Sequence, residues 1–340
     1  MRDIKQSGYP AANFVQFTTG ALKFRGRLAS MGSKAGAAVG IDIGNAAVKA
    51  VALDVTRTPV RLLNYTVVDC TPGADRTAQV GVAVRTALRR LRRRPISLAT
   101  AVPAAEAIAR RTSAPANLSG GALAAHVALS LEEHLHQPPD ELYYDFRALS
   151  SSPEDGSRRD LLLVACRRDV VKAKLAALRR ARVHCDVMDV EDRAMAQSLA
   201  LTQKPPRPDS RSAVEAVIDM GHHRIGLHIF DQGEPVHGQN QPVEPASQPA
   251  DVAERALERY QGSPDARDPD YVWLIGGGLN SKARNDLMRS LGASPLDLES
   301  MPGLELAPRL PPASFSGHCG RLAVAIGLAL HAGDPDAHWR

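Results

Sequence analysis

The feature that most limits what this chain can fold into is a short stretch at residues 38–53, AVGIDIGNAAVKAVAL. An apolar run carries one acid, Asp42, and closes on Gly44 and Asn45; Val48, Ala50 and Ala52 then alternate with Ala47, Val51 and Leu53. Alternation at period two is the mark of a strand, so the stretch reads as strand, tight turn, strand. Two explanations of its residues stand side by side. Gly and Asn tolerate the positive φ of a tight turn, which accounts for a plain hairpin. Alternatively, the turn's backbone N–H groups cradle a phosphate while Asp42 faces a cation, since a buried carboxylate without a partner is costly. A second copy favours the latter: residues 216–230, AVIDMGHHRIGLHIF, repeat the pattern around Asp219 and Gly221.

The chain between and beyond the copies predicts an α/β architecture. With 340 residues there is room for two lobes. Aromatics are only 4% against 44% hydrophobic residues, so the core must rest on Ala, Val and Leu. After the first hairpin come a strand at 60–68, a basic helix at 77–94 with Val80, Val84, Leu88 and Leu91 on one face, and a buried strand at 96–102. This β-β-β-α-β order is the core of a ribonuclease H-like lobe. Residues 104–159 read as a small inserted subdomain with a helix at 120–137, a strand at 143–149 and a turn-rich end. The first lobe resumes at 160–203 (strand 160–166, helix 168–180, strand 184–190, helix 191–201), and 204–212 is a Pro-rich linker. The second lobe, 213–332, holds the second hairpin, a helix at 249–260, a strand at 271–275 closed by Gly276, Gly277 and Gly278, a helix at 281–291 and a final small-residue helix at 320–331 packed on its sheet. Residues 1–37 and 333–340 read as tails. Phe14, Phe17, Leu22, Phe24 and Leu28 suggest either a weak amphipathic helix or disorder, and Met31 is a second candidate start.

Other classes fall away on composition. The net charge of +5 and pI near 9.1 are mild. The cluster Arg89, Arg90, Arg92, Arg93, Arg94 has no interleaved aromatics for stacking bases, so a solvated helix face is expected and nucleic acid is not. Cys70, Cys166, Cys185 and Cys319 lie far apart with no Cys-x-x-Cys, which argues for a reducing compartment. No apolar run of membrane-spanning length and no leader-like segment is seen, so a cytoplasmic protein is expected.

The two Asp-x-Gly hairpins, the glycine triplet after a strand, and the segments YYDFRAL (143–149), DVMDVEDRAMA (186–196), LIGGGLN (274–280) and AVAIGLAL (323–330) together resemble the actin-like ATPase superfamily, its FtsA-like branch, and more narrowly the PilM family of type IV pilus assembly. The resemblance spans about residues 38–332. It implies a duplicated ribonuclease H-like, two-lobed fold that holds ATP and Mg²⁺ in the cleft between lobes. Gly44, Asn45, Ala46 and Lys49 would belong to the first phosphate loop; Asp219, Gly221 and His222 to the second; Gly276, Gly277 and Gly278 to the adenosine loop. Asp42 and Asp219 would face the metal, and Glu191 would be the acid near the attacking water. Family members grip the N-terminal cytoplasmic peptide of the inner-membrane protein PilN. A groove where the inserted subdomain meets the first lobe is the expected seat, with Leu142, Tyr143, Tyr144 and Phe146 as its wall or, equally, as core.

Departures from the pattern are also legible. His222, His223 and Arg224 stand where the second loop carries small or hydroxyl residues, and Asn45-Ala46-Ala47 lacks the hydroxyls usual in the first. Nucleotide binding is therefore expected ahead of turnover. Two other readings share the fold. A sugar-kinase-like phosphotransferase would need a polar sugar-binding cluster after the first hairpin, which is not seen. The actin-like domain of a type II secretion platform protein would continue into a membrane helix.

Overall fold

The computed structural model describes residues 15–18, 21–24, 36–70, 75–135, 138–148, 156–203, 213–244, 247–264, 266–291 and 295–333. Two short strands come first, β1 (Val15–Thr18) and β2 (Ala21–Phe24). The first lobe then begins with the meander β3 (Ala37–Ile43), β4 (Ala47–Asp54) and β5 (Val60–Asp69), followed by α1 (Arg76–Leu91) and β6 (Pro95–Val102). Asp75 caps α1 by accepting from the Ala78 N–H at 2.9 Å, and Arg89 and Arg90 sit in the last turn, where the helix dipole favours cations. Next come β7 (Ala107–Pro115), α2 (Gly120–Leu135), β8 (Leu142–Ala148) and β9 (Arg158–Arg167), then α3 (Arg168–Arg180), β10 (Val187–Val190) and α4 (Glu191–Leu199).

The second lobe contains β11 (Val214–Met220), β12 (Arg224–Asp231), β13 (Glu234–Pro242), α5 (Pro249–Gln261), β14 (Tyr271–Ile275), α6 (Ser281–Ser290) and β15 (Leu296–Asp297). β16 (Leu304–Leu306), α7 (Pro312–Ser316) and α8 (Cys319–Gly333) close the chain. Within the larger sheet the first lobe runs β5-β4-β3-β6-β10, and the second sheet runs β13-β12-β11-β14-β15. In both, three antiparallel strands are followed by two parallel ones, so the duplication expected from the paired hairpins is present in the topology.

Four placements differ from the sequence expectations. First, β9, expected among the first-lobe strands, pairs antiparallel with β7 and β8 at the far end of the same eleven-stranded sheet. Its apolar DLLLVAC suits either position in that sheet, so only pairing distinguishes them. Second, β7 is a strand that the sequence does not announce, because most of its side chains are exposed or half-buried and Arg110, Arg111 and Thr112 break any apolar alternation. Third, segments of the supposed N-terminal tail form a hairpin. β1 pairs with β2 antiparallel, β2 with β10, and β1 with β8 in parallel, so the hairpin bridges the first-lobe strands to the inserted subdomain. Phe17, Leu22 and Phe24 fit period two across a Thr19-Gly20 break as well as they fit a helix. Residues 1–14, 19–20 and 25–35 of that tail, the linker 204–212 and residues 334–340 lie outside the described residues.

Fourth, α8, expected against the second sheet, packs chiefly with the first lobe, in one buried cluster with Ala38, Val51, Leu53 and Ala194. The approach is close: a Cβ at Gly40 would collide with the Ala325 carbonyl and lie 2.5 Å from the Ala329 nitrogen. Likewise, a Cβ at Gly327 would collide with the backbone of Ala194 in α4. Small residues thus let α8 lie against strand and helix backbone together. Each buried Leu, Val or Ile it carries contributes roughly 1.5–3 kcal/mol over exposure.

Candidate functional site

The first hairpin closes when the Gly44 N–H donates to the Ala47 carbonyl at 3.1 Å, shaping the Gly44-Asn45-Ala46 turn. Antiparallel register sets Lys49 directly opposite Asp42, and the Lys49 ammonium lies 2.7 Å from Asp42 Oδ2. Burial works against the Lys49 charge, yet the carboxylates of Asp42 and then Asp219 outweigh it and hold its pKa above the ordinary value. Two further cations grip the turn from behind. Lys174 Nζ donates to the Ile43 carbonyl at 2.9 Å, and Arg76 Nη2 to the Gly44 carbonyl at 2.7 Å. Burial lowers the Lys174 pKa, opposed by Glu191 and Asp42.

The second hairpin closes the same way, its Gly221 N–H donating to the Arg224 carbonyl at 2.9 Å. Here Gly226 stands opposite Asp219, and no Lys answers the acid. Burial pushes the Asp219 carboxyl above the usual carboxylate range, against the pull of Lys49 and Arg224. The hairpin's cation points elsewhere: Arg224 Nη2 donates to both oxygens of Glu191, at 3.0 and 2.8 Å. Glu191, only 4% exposed, opens α4 in the first lobe, so this ion pair joins the lobes across the cleft. Glu191 is the acid expected beside an attacking water; in this arrangement it is held by Arg224 and is no free base. His222 and His223 are exposed at the rim.

The glycine triplet packs on the second hairpin. Gly276 has φ +104°, and a Cβ there would lie 2.5 Å from both Asp219 Oδ1 and the Met220 carbonyl. The Gly278 N–H donates to the Met220 carbonyl at 2.7 Å, and a Cβ on Gly278 would come within 2.5 Å of the Gly221 carbonyl. The chain's own backbone therefore demands these two glycines, whatever else the loop meets. Gly277 faces the cleft, where its Cβ would lie 3.2 Å from Arg321 Nε and 3.4 Å from His222 Cε1.

Between these elements lies a small recess, with about 50 Å³ open to the centre of a water-sized sphere, into which Asp42, Lys49, Glu191, Asp219, Arg224 and Arg321 all reach. The structure thus brings the expected residues of both hairpins together, with Gly277 from the third loop. It also adds cations that sequence reasoning missed. Arg321 is a lone charge at the head of the apolar α8, a visible signal; its Nε is buried with no acceptor. Lys174 gave no signal, since α3 is rich in charged residues.

The donors fit phosphate oxygens: turn N–H groups, Lys49 and the unanswered Arg321 Nε. Two of the three acids are not free for a divalent cation. Asp42 and Glu191 each hold a protein cation already, Asp219 has Gly226 opposite it, and no group of three His, Cys, Asp or Glu side chains among the described residues is arranged to hold a metal.

The expected partner wall is divided by the strand's alternation. Leu142 is 1% exposed in the inserted subdomain's core with Leu123, Val127 and Leu131, so it is core and not wall. Tyr144 and Phe146 pack half-buried on that cluster, whereas Tyr143 packs towards the first lobe with the Arg168 guanidinium 4.9 Å from its ring centroid. β8's second edge, opposite β9, pairs with β1.

The family described as type IV pilus assembly protein PilM matches residues 40–244, which is more than half of the chain. The chain belongs to the PilM family. Among solved structures, a PilM–PilN type IV pilus biogenesis complex aligns at 22% identity over 87% of this chain and 98% of that one, with a TM-score of 0.66. A Bacteroides thetaiotaomicron protein with an actin-like ATPase fold and unknown function aligns at 10% identity over 86% and 95%, TM-score 0.47. The cytoplasmic domain of EpsL, an inner-membrane component of the Vibrio cholerae type II secretion system, aligns at 12% over 80% and 85%, TM-score 0.40. This chain thus shares the fold of the PilM in that complex, a two-lobed α/β fold. No described helix is long and apolar enough to cross a membrane.

Proposed function

We propose that this PilM-family chain is a platform component of a type IV pilus assembly, held at the inner membrane by the N-terminal cytoplasmic peptide of a PilN-like protein. The observation that carries the reading is the extent of the family match, which takes in the first lobe, the whole inserted subdomain and the second hairpin. The solved relative that pairs PilM with PilN supports the partner's class. The peptide's seat is the junction of inserted subdomain and first lobe, where Tyr143, Tyr144 and Phe146 stand on β8. The cleft between lobes serves as a nucleotide site that sets the platform's state rather than as an engine, because Glu191 is committed to Arg224.

In this chain the junction already carries two strands of its own, β1 and β2, between β10 and β8. An incoming extended peptide that adds to the same edges must displace them. Titration of the full chain with a peptide from a PilN-like N-terminus should therefore give a saturable complex, and a chain beginning at Met31 should bind it more tightly. Absence of any complex at roughly 100 µM, the weak end of transient binding, would refute the platform reading. Equal affinity of both chains would move the seat away from this junction.

A further inference from the structure

Three acids and the glycines of three loops line the cleft, and each acid is answered differently. Asp42 is neutralised by Lys49 from the facing strand at 2.7 Å. Glu191 is neutralised by Arg224 from the other lobe at 2.8 Å. Asp219 has Gly226 and not a cation opposite it, and Gly276 approaches it closely. Around these acids stand Lys49, Arg224 and Arg321, with Lys174 and Arg76 behind the first turn. In the recess three cations thus face three carboxylates, and one buried donor, Arg321 Nε, has no acceptor.

A divalent cation beside a nucleotide's phosphates does two things: it neutralises charge and it fixes the phosphates against the protein. Here Lys49 and Arg224 already hold two of the acids, so no metal is needed to offset those charges, and Arg321 Nε offers the phosphates a donor. We propose that this cleft binds nucleotide phosphates without a divalent metal, with Arg224 and Lys49 standing in for the cation. The inference rests on the reading of the cleft as a nucleotide site given above, and it concerns how that site works rather than which partner the chain recruits. The contact that carries it is that of Arg224, whose guanidinium reaches the acid that opens α4.

The test is calorimetric titration of the full chain with ATP, once in excess Mg²⁺ and once in EDTA. Affinities within about threefold of one another are expected, well short of the tenfold step that separates distinct binding modes. Binding at least about tenfold tighter with Mg²⁺ would overturn the inference while leaving the nucleotide site standing. No binding in either buffer would overturn both. A second arm uses Arg224→Thr, which frees Glu191: binding in EDTA should weaken about tenfold or more and Mg²⁺ should restore part of it. An Arg224→Thr chain that binds ATP as well as wild type in EDTA also contradicts the inference. The wild-type pair of titrations decides the matter even if that variant does not fold.

Discussion

The two hairpins start from the same plan and end in different roles. Each places Asp two residues before a Gly, and each turn closes by that Gly N–H on a carbonyl three residues along. In the first, the residue across from the acid is Lys49; in the second, the corresponding position is Gly226. The second hairpin's cation has instead moved two residues earlier, to Arg224, which shares a strand face with position 226. From there its longer side chain passes Asp219 and reaches Glu191 in the other lobe. The first hairpin therefore looks inward, satisfying its own acid, and the second reaches across. A cation placed two positions earlier on the strand meets an acid of the other lobe instead of its own hairpin's acid.

The largest expected effect comes from breaking the clamp. Arg224→Ala leaves Glu191 charged and buried without a partner, which should cost roughly 3–5 kcal/mol in urea denaturation. A loss under about 1 kcal/mol would mean that the pair is solvated and clamps nothing.

Asp192, next to Glu191, is a control without a clamp: no Arg224 reaches it, and burial pushes its carboxyl up to about 6. With the folded value above the unfolded one, the folded state binds the extra proton in between. Stability should therefore decline as pH rises from near 4 to about 6 and stay lower above that. Asp192→Asn should flatten that decline, which amounts to about 3 kcal/mol at most for a shift of some two units. An unchanged pH profile would show that Asp192 is not constrained as described.

Breaking the first hairpin should cost less. Lys49→Ala leaves Asp42, which is 7% exposed and borders the cleft, without its ammonium, for a loss of roughly 1–3 kcal/mol by chemical denaturation. If Lys49→Ala proves as damaging as Arg224→Ala, the contrast between an inward and a bridging hairpin fails. Smallest of all, alanine at His222 and His223 together should move the thermal midpoint by the equivalent of no more than about 0.5 kcal/mol, because both side chains are exposed.

Much of this architecture is legible in the residues themselves. The repeated Asp-x-Gly pattern predicts two related sheets, and both adopt the same strand order. His222-His223-Arg224 marks the second loop as altered, since those residue types contradict a close backbone approach to phosphate. Pairing between distant segments is not legible in the same way. β9 has the same apolar face wherever in the sheet it pairs, and α8 is apolar nearly all round, so neither names its neighbour. The Arg224–Glu191 pair joins positions 33 apart in different lobes, and charges are too frequent in this chain for such a pairing to stand out. Lys174 is hidden for a related reason: among the basic residues of α3 nothing marks it as the one that turns inward to the Ile43 carbonyl.

The claim that the second hairpin serves as a clamp between the lobes is tested most directly by a double-mutant cycle on Glu191 and Arg224, using Glu191→Ala, Arg224→Ala and both together in urea denaturation. The account predicts that the double variant is more stable than the sum of the single losses implies, by a coupling of about 1–3 kcal/mol, as for residues in direct contact. Losses that simply add, with coupling below about 0.5 kcal/mol, would contradict it.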